Sequence, residues 1–304
     1  LLFMAYVHPD PAMRDVSRRA YQDYANWMVE LGKQQDLYQA VRAFAATDPQ
    51  LDGEHGRLLE FTLRDYRRAG MDLTPEDRKR LTDVEKQINE LSIEFDRNIT
   101  ADQTVVMVGE DELQGMPEDW ISGLESIHGL YVLGMDYPTS IPVLDHSPNE
   151  RLRQEIWMAR KRRSKRNIDV LEKLLSLRSD QARILGFDHA SDYENEVRMS
   201  KDAETVAAFY DTLQPLLREK AAEDHALLLA AKRTETGDPE ATLMPWDFGY
   251  YMERIRERDY QVDSNVVREY FPLDKVRDGL FEITERLYGL EYVPQTAPDG
   301  APLW

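Results

Sequence analysis

There is no cysteine in these 304 residues. Disulfide staples, thiolate nucleophiles and cysteine-bound metals are therefore excluded, and the composition fits a reducing compartment. No apolar run approaches the roughly 20 residues that a membrane-spanning helix needs. The opening Leu1-Leu2-Phe3-Met4 is too short and uncharged for a signal peptide. It also lacks an initiator methionine, so the chain is expected to be cut at its front. Basic residues are in deficit, 38 against 57 acidic ones, for a formal charge of −19. A field of that sign opposes nucleic acid and anionic membranes and favours solubility. The expectation is a cytoplasmic protein with neither nucleic-acid nor membrane partners. A chain of this length buries one large core or two modest ones.

Chemical motifs are missing as well. Zinc in a hydrolase needs three protein ligands and an open water position, usually with two histidines one helical turn apart. The six histidines are His8, His55, His128, His146, His189 and His225. No two stand three or four residues apart and no His-Glu-x-x-His occurs, so no metal ligand is assigned. Only His55, beside Glu54, has a suggestive neighbour, and it reads as a solvated pair. There is no Gly-x-Ser-x-Gly elbow and no glycine-rich phosphate loop, so no catalytic residue is assigned either. Acidic runs such as Glu110-Asp111-Glu112 read as exposed surface, because an acid–base pair needs an enclosure that separates its two pKa values. The basic run from Arg160 to Arg166 spreads its charges round a whole helix, and reads as a solvated helix end rather than a nucleic-acid site.

What the chain does have is helical periodicity. Val16, Ala20, Tyr24, Trp27 and Leu31 recur at helical spacing with Gly32 as a stop. Leu37, Tyr38, Val41 and Phe44 resume the pattern until Asp48-Pro49 breaks it. A third helix is expected from Gly53 to Ala69, ending at Gly70. Thr74-Pro75-Glu76-Asp77 is the clearest start in the chain, with a capping hydroxyl, a first-turn proline and two acids. Leu81, Val84, Ile88, Leu91 and Phe95 follow it as one long amphipathic helix. Three β-branched runs then predict a small sheet over residues 104–144: Thr104–Val108, Tyr131–Leu133 and Ile141–Leu144. A turn and short helix over Gly115–Glu125 separate the first two runs. Ser147-Pro148-Asn149-Glu150 has capping-box spacing, before Leu152, Ile156 and Ala159. Asn167 is expected to cap a helix bearing Val170, Leu171, Leu174, Leu177 and Ala182, closed by Gly186. A further helix runs from Ser200 to Gly237, where the interior Pro215 predicts a kink or early break. The fold class is mostly α.

The stretch from Met244 to Gly289 reads as a packing hub. Asp247 is placed to cap one helix, Asp263 and Ser264 a second, and Pro272 to open a third. That third helix carries Val276, Leu280, Ile283 and Leu287 on one stripe. Trp246, Phe248, Tyr250, Tyr251, Tyr260, Tyr270 and Phe271 either line a peptide groove or fill the core, and aromatic stripes at helical spacing more often do the latter.

The order Trp-Asp-x-x-Tyr-Tyr from Trp246, Glu-Tyr-Phe-Pro-Leu from Glu269 and Leu-Tyr-Gly-Leu from Leu287 resembles the zinc metallo-oligopeptidases of the thimet oligopeptidase and neurolysin type. Leu91 to Asn98 resembles that family's long N-terminal helix, and Asp111 to Pro117 its Glu-Leu-x-Gly-x-Pro turn. Leu177-Arg178, Leu185-Gly186-Phe187, Asp192-Tyr193 and Met199 are similar to the stretch that follows. The resemblance covers nearly the whole chain. It implies a helical ellipsoid split by a channel that admits short peptides, with the zinc ligands and general-base glutamate beyond Trp304. This chain is then expected to be an N-terminal, non-catalytic portion, with residues 1–146 a helical region bearing the small sheet and 147–304 a helical region leading into the absent catalytic part. Zinc belongs to the full-length family member, and none is expected here. Its partners would be short peptides and the missing catalytic portion, with self-association through apolar surface left uncovered. A free-standing peptide-binding or scaffold module is the alternative.

Overall fold

Side-chain caps start the helices where the sequence offers them. In the computed structural model, which describes residues 2–262 and 264–293, the helices are, in order, α1 (Leu2–Val7), α2 (Pro11–Leu31), α3 (Gln35–Ala46), α4 (Gly53–Arg68) and α5 (Pro75–Thr100). Strand β1 (Val105–Val108), α6 (Glu118–Ser122), β2 (Ser126–Ile127) and β3 (Leu130–Gly134) follow. The remainder is helical: α7 (Tyr137–His146), α8 (Glu150–Arg162), α9 (Asn167–Ile184), α10 (Ala190–Asn195), α11 (Ala203–Thr236), α12 (Phe248–Tyr260), α13 (Ser264–Glu269) and α14 (Leu273–Tyr288). Thr74 accepts from the Asp77 amide at the head of α5, and Asp10 and Asp52 serve α2 and α4 in the same way. The mostly α reading with a small β element is what the structure has.

The chain divides into two compact units, one of Leu1–Val108, Glu125–Met135 and Glu155–Ala222, the other of Gly109–Leu124, Asp136–Gln154 and Glu223–Trp304. In the first, α5 packs along α9 and against α2, and the strands form an antiparallel sheet ordered β1-β3-β2. Leu81 on α5 is fully buried beside Gly70, whose left-handed φ of 78° turns the chain out of α4. In the second unit, Leu228, Tyr250, Tyr251 and Ile255 form a small core, and α7 packs on α12.

Several expectations are corrected. Ile141–Leu144 is not a strand but part of α7, because Asp136 caps that helix through the Thr139 amide and hydroxyl. The missing strand is Ser126–Ile127, turned back by His128 and Gly129, both at positive φ. Pro142 within α7 leaves the Pro138 carbonyl without its helical donor, and the Trp120 indole N–H supplies one at 3.1 Å. Asn149, not Ser147, caps α8, its Oδ1 accepting from the Leu152 amide. Asn167 does not cap α9. Its amide bridges to α5 instead, accepting from Asn98 at 2.7 Å and donating to the Phe95 carbonyl at 3.0 Å.

Helix α11 runs unbroken through Pro215, where the side facing solvent leaves the Asp211 carbonyl open to water. On α2 the periodic stripe faces outward: Val16, Tyr24 and Trp27 are exposed while Ser17 is buried. Asp263 and the Ser264 side chain, expected to cap α13, lie outside the described residues.

The hub holds only in its first part. Tyr250 and Tyr251 are buried, but Tyr260, Tyr270 and Phe271 are exposed. On α14 the stripe Leu273, Val276, Leu280, Ile283 and Leu287 follows 3-4 spacing, yet these side chains are 48 to 80% exposed. Amphipathicity formed the helix, and no described element covers its apolar side. Replacing Leu280 and Ile283 by lysine should therefore change the unfolding free energy by less than about 0.5 kcal/mol per site. Urea denaturation checks this, and a loss of several kcal/mol would mean the stripe is packed.

Candidate functional site

The most enclosed charged cluster is built on α8, α11 and α12. The α8 stripe buries Leu152 and Ile156, and Arg153, next to Leu152, is carried inside with them at 1% exposure. Its guanidinium donates to Asp247 Oδ1 at 2.8 Å, to the Ser147 carbonyl at 2.7 Å and to the Trp246 carbonyl at 3.3 Å. Lys232 on α11, 4% exposed, donates to Asp247 Oδ2 at 2.6 Å and to Glu150 at 2.8 Å. The Met244 amide adds a bond to Asp247 at 2.9 Å. Asp247 stands at the helix start as expected, but its carboxylate makes no cap bond. Two buried cations outcompete the first-turn amides for it.

Burial by itself would raise the Asp247 carboxyl, but its bonds to Lys232, Arg153 and the Met244 amide hold it below the usual range. Burial would likewise lower the Lys232 ammonium, and its bonds to Asp247 and Glu150 hold it above the ordinary value. Above the pair lie aromatic rings. The Arg153 guanidinium is 4.2 Å from the Tyr250 ring centroid, and Tyr250 meets Tyr251 edge-on at 5.0 Å. Burial pushes both hydroxyls up, and Tyr250 donates to Glu235 at 2.8 Å. Every charge is paired, and the three innermost, Arg153, Lys232 and Asp247, are buried while Glu150 reaches solvent, so the cluster is a clamp between helices rather than a reaction centre.

The other candidates are dispersed. His55 pairs with Asp52, the α4 cap, at 2.6 Å and not with Glu54, and both are exposed. No three His, Asp or Glu side chains converge to hold a metal among the described residues, so those residues do not fit a zinc cradle. Glu112 accepts from the Gly109 amide, and the other residues of that acidic run are exposed or half-buried. In the same unit the Asp145 carboxyl is raised by burial, with Glu253 adding to the effect against His146 and Arg256. The basic run sits at the end of α8 and in the turn to α9, where Ser164 is tied to Asp102. Arg153 and Lys232 were missed from the sequence. Their signal is a cation set among apolar stripe residues, Arg153 beside Leu152 and Lys232 four after Leu228.

Comparison with known proteins gives this frame a place. A family model described as peptidase family M3 matches residues 143–303, just over half of the chain. The chain belongs to peptidase family M3. It is 28% identical over 300 residues to a probable thimet oligopeptidase of Arabidopsis thaliana, covering 98% of this chain and 42% of that protein. It is 28% identical over 288 residues to oligopeptidase A of Escherichia coli, covering 88% and 42%. A thimet-like oligopeptidase of Dictyostelium discoideum is 28% identical over 318 residues, covering 98% and 47%. The chain thus spans less than half the length of these M3 relatives. The clamp residues Arg153, Lys232 and Asp247 all fall within the stretch matched by the M3 model.

Proposed function

We propose that this chain is the N-terminal, non-catalytic portion of a zinc metalloendopeptidase that cleaves short peptides, forming a wall of the substrate channel and limiting substrate size. The observation that carries this is the combination of near-complete coverage of the chain with under half coverage of M3 relatives, in a sequence without His-Glu-x-x-His. The relatives are oligopeptidases by name, which supports short peptides as the substrate class. The uncovered apolar stripe of α14 supports the reading too, since such a face calls for further helices of the same protein. Zinc would be held by that further portion. A relative named as cytosolic supports a cytoplasmic setting, and no helix among the described residues is long and apolar enough to cross a membrane.

The test is cleavage of a short internally quenched peptide by this chain with zinc added. No turnover above buffer is expected. Robust turnover, abolished by a chelator, would overturn the non-catalytic reading.

A further inference from the structure

One groove in the first unit carries a charge opposite to that of the chain as a whole. On α4, Arg57, Phe61 and Arg64 follow at spacings of four and three and so share a face. The two guanidinium carbons lie 4.8 and 4.3 Å from the Phe61 ring centroid. Across a groove of about 680 Å3, the segment after α10 supplies Arg198, Met199 and Lys201. Arg64 is tied to Asp65 at 2.7 Å, and Arg198 is held loosely by Glu194 at 3.7 Å. Among the described residues, neither Arg57 nor Lys201 has an acidic partner. Asp52 on the wall is committed to the ring and the amide of His55, which leaves Glu60 as the remaining acid there.

Two details mark the wall as more than ordinary surface. Lys201 holds a left-handed backbone, φ 71°, which a non-glycine residue adopts only at a cost. Met199 is 97% exposed, an apolar side chain presented beside the cations.

We propose that this groove binds an acidic side chain of a peptide, with Arg57 and Lys201 holding the carboxylate and Phe61 and Met199 meeting an adjoining apolar residue. This rests on the peptide reading above and names its substrate class. A short peptide with one carboxylate senses mainly charges within the screening length of about 8 Å. A polyanion such as RNA extends over many such lengths, and so also meets the acidic surface of a chain whose charge is −19, which repels it. The same repulsion means that any preference for an acidic peptide has to come from a local cationic site.

The test is isothermal titration calorimetry with two acetylated, amidated hexapeptides, one bearing a single Glu beside Leu, the other Gln in its place. At about 0.15 M salt the Glu peptide should bind about three- to ten-fold more tightly, the scale set by two exposed charge pairs. The double variant Arg57→Gln, Lys201→Gln, its helicity checked by circular dichroism, should equalise the two peptides, as should 0.5 M salt. Equal affinities for the wild-type chain, or a preference that survives in the variant, would overturn the groove and leave the peptide reading standing. Failure of both peptides to bind would remove the groove and this chain's peptide-binding role together, while leaving the cleavage test untouched. Binding of an RNA oligonucleotide, lost in the variant, would also overturn it, because the groove would then serve a different ligand.

Discussion

Asp247→Ala is expected to lower the stability of the unit that contains it by about 3–5 kcal/mol, the cost of leaving buried charge without its partner. The carboxylate sits at 0% exposure between Arg153 and Lys232, themselves 1% and 4% exposed. Lys232 would keep Glu150, but Arg153 would keep only the Ser147 and Trp246 carbonyls and the Tyr250 ring, none of them charged. Replacing all three together, Arg153→Met, Lys232→Met and Asp247→Leu, should recover most of the loss, because no desolvated charge then remains. Urea unfolding followed by tryptophan fluorescence reads both, with Trp246 against Glu150 reporting from the site. If the single and triple variants were equally unstable, the clamp would owe its effect to shape and not to charge.

The same pairs fix the pH response. The Asp247 pKa is lowered in the folded chain, so its contribution is complete above the unfolded carboxylate value of about 4 and is lost as pH falls through the lower folded value. The Lys232 pKa is raised, so its contribution is complete below the unfolded value of about 10.4 and is lost as pH rises through the higher folded one. These two groups leave stability flat across neutral pH.

Leu81→Ala is the second large effect, at about 2–5 kcal/mol for a fully buried leucine. Leu81 fills the space under the turn after α4, where a β-carbon added at Gly70 would lie 2.5 Å from Leu81 Cδ2 and 2.9 Å from Leu73 Cδ1. Gly70→Ala alone should therefore cost about 1–3 kcal/mol, from its left-handed φ of 78° together with the clash. In the Leu81→Ala background the nearer of those two contacts is gone and the backbone term remains, about 1–2 kcal/mol. A double-mutant cycle in urea should show the pair costing less than the sum of its parts. Strict additivity would mean that the two sites do not touch.

How far the fold was legible follows from what each residue answers to. Thr74, Gly70, Gly186 and Gly289 act through backbone amides and φ angles a few residues away, so their caps and stops could be read in one dimension. Ile141–Leu144 misled because its β-branched character is a side-chain trait, while the helix there is set by Asp136 upstream. Asn167 and Asp247 misled in a shared way. Each is a good local cap whose polar atoms found better partners on another helix, Asn98 in one case and Arg153 with Lys232 in the other. The aromatic hub was half legible, since periodicity states that a stripe exists and not which neighbour covers it. The groove at Arg57 and Lys201 had no sequence signal, because these two residues are 144 positions apart.

By itself the sequence determined the mostly α class, the positions of nearly all the long helices, the family resemblance and the lack of a two-histidine zinc motif. Those depend on spacing and residue type along a single chain. Tertiary structure alone decided which stripes were buried, where the Asp247 and Asn167 side chains spent their hydrogen bonds, and which cations were left unpaired. Such outcomes are competitions between partners distant in sequence, and only the packed arrangement brings the competitors within reach of one another.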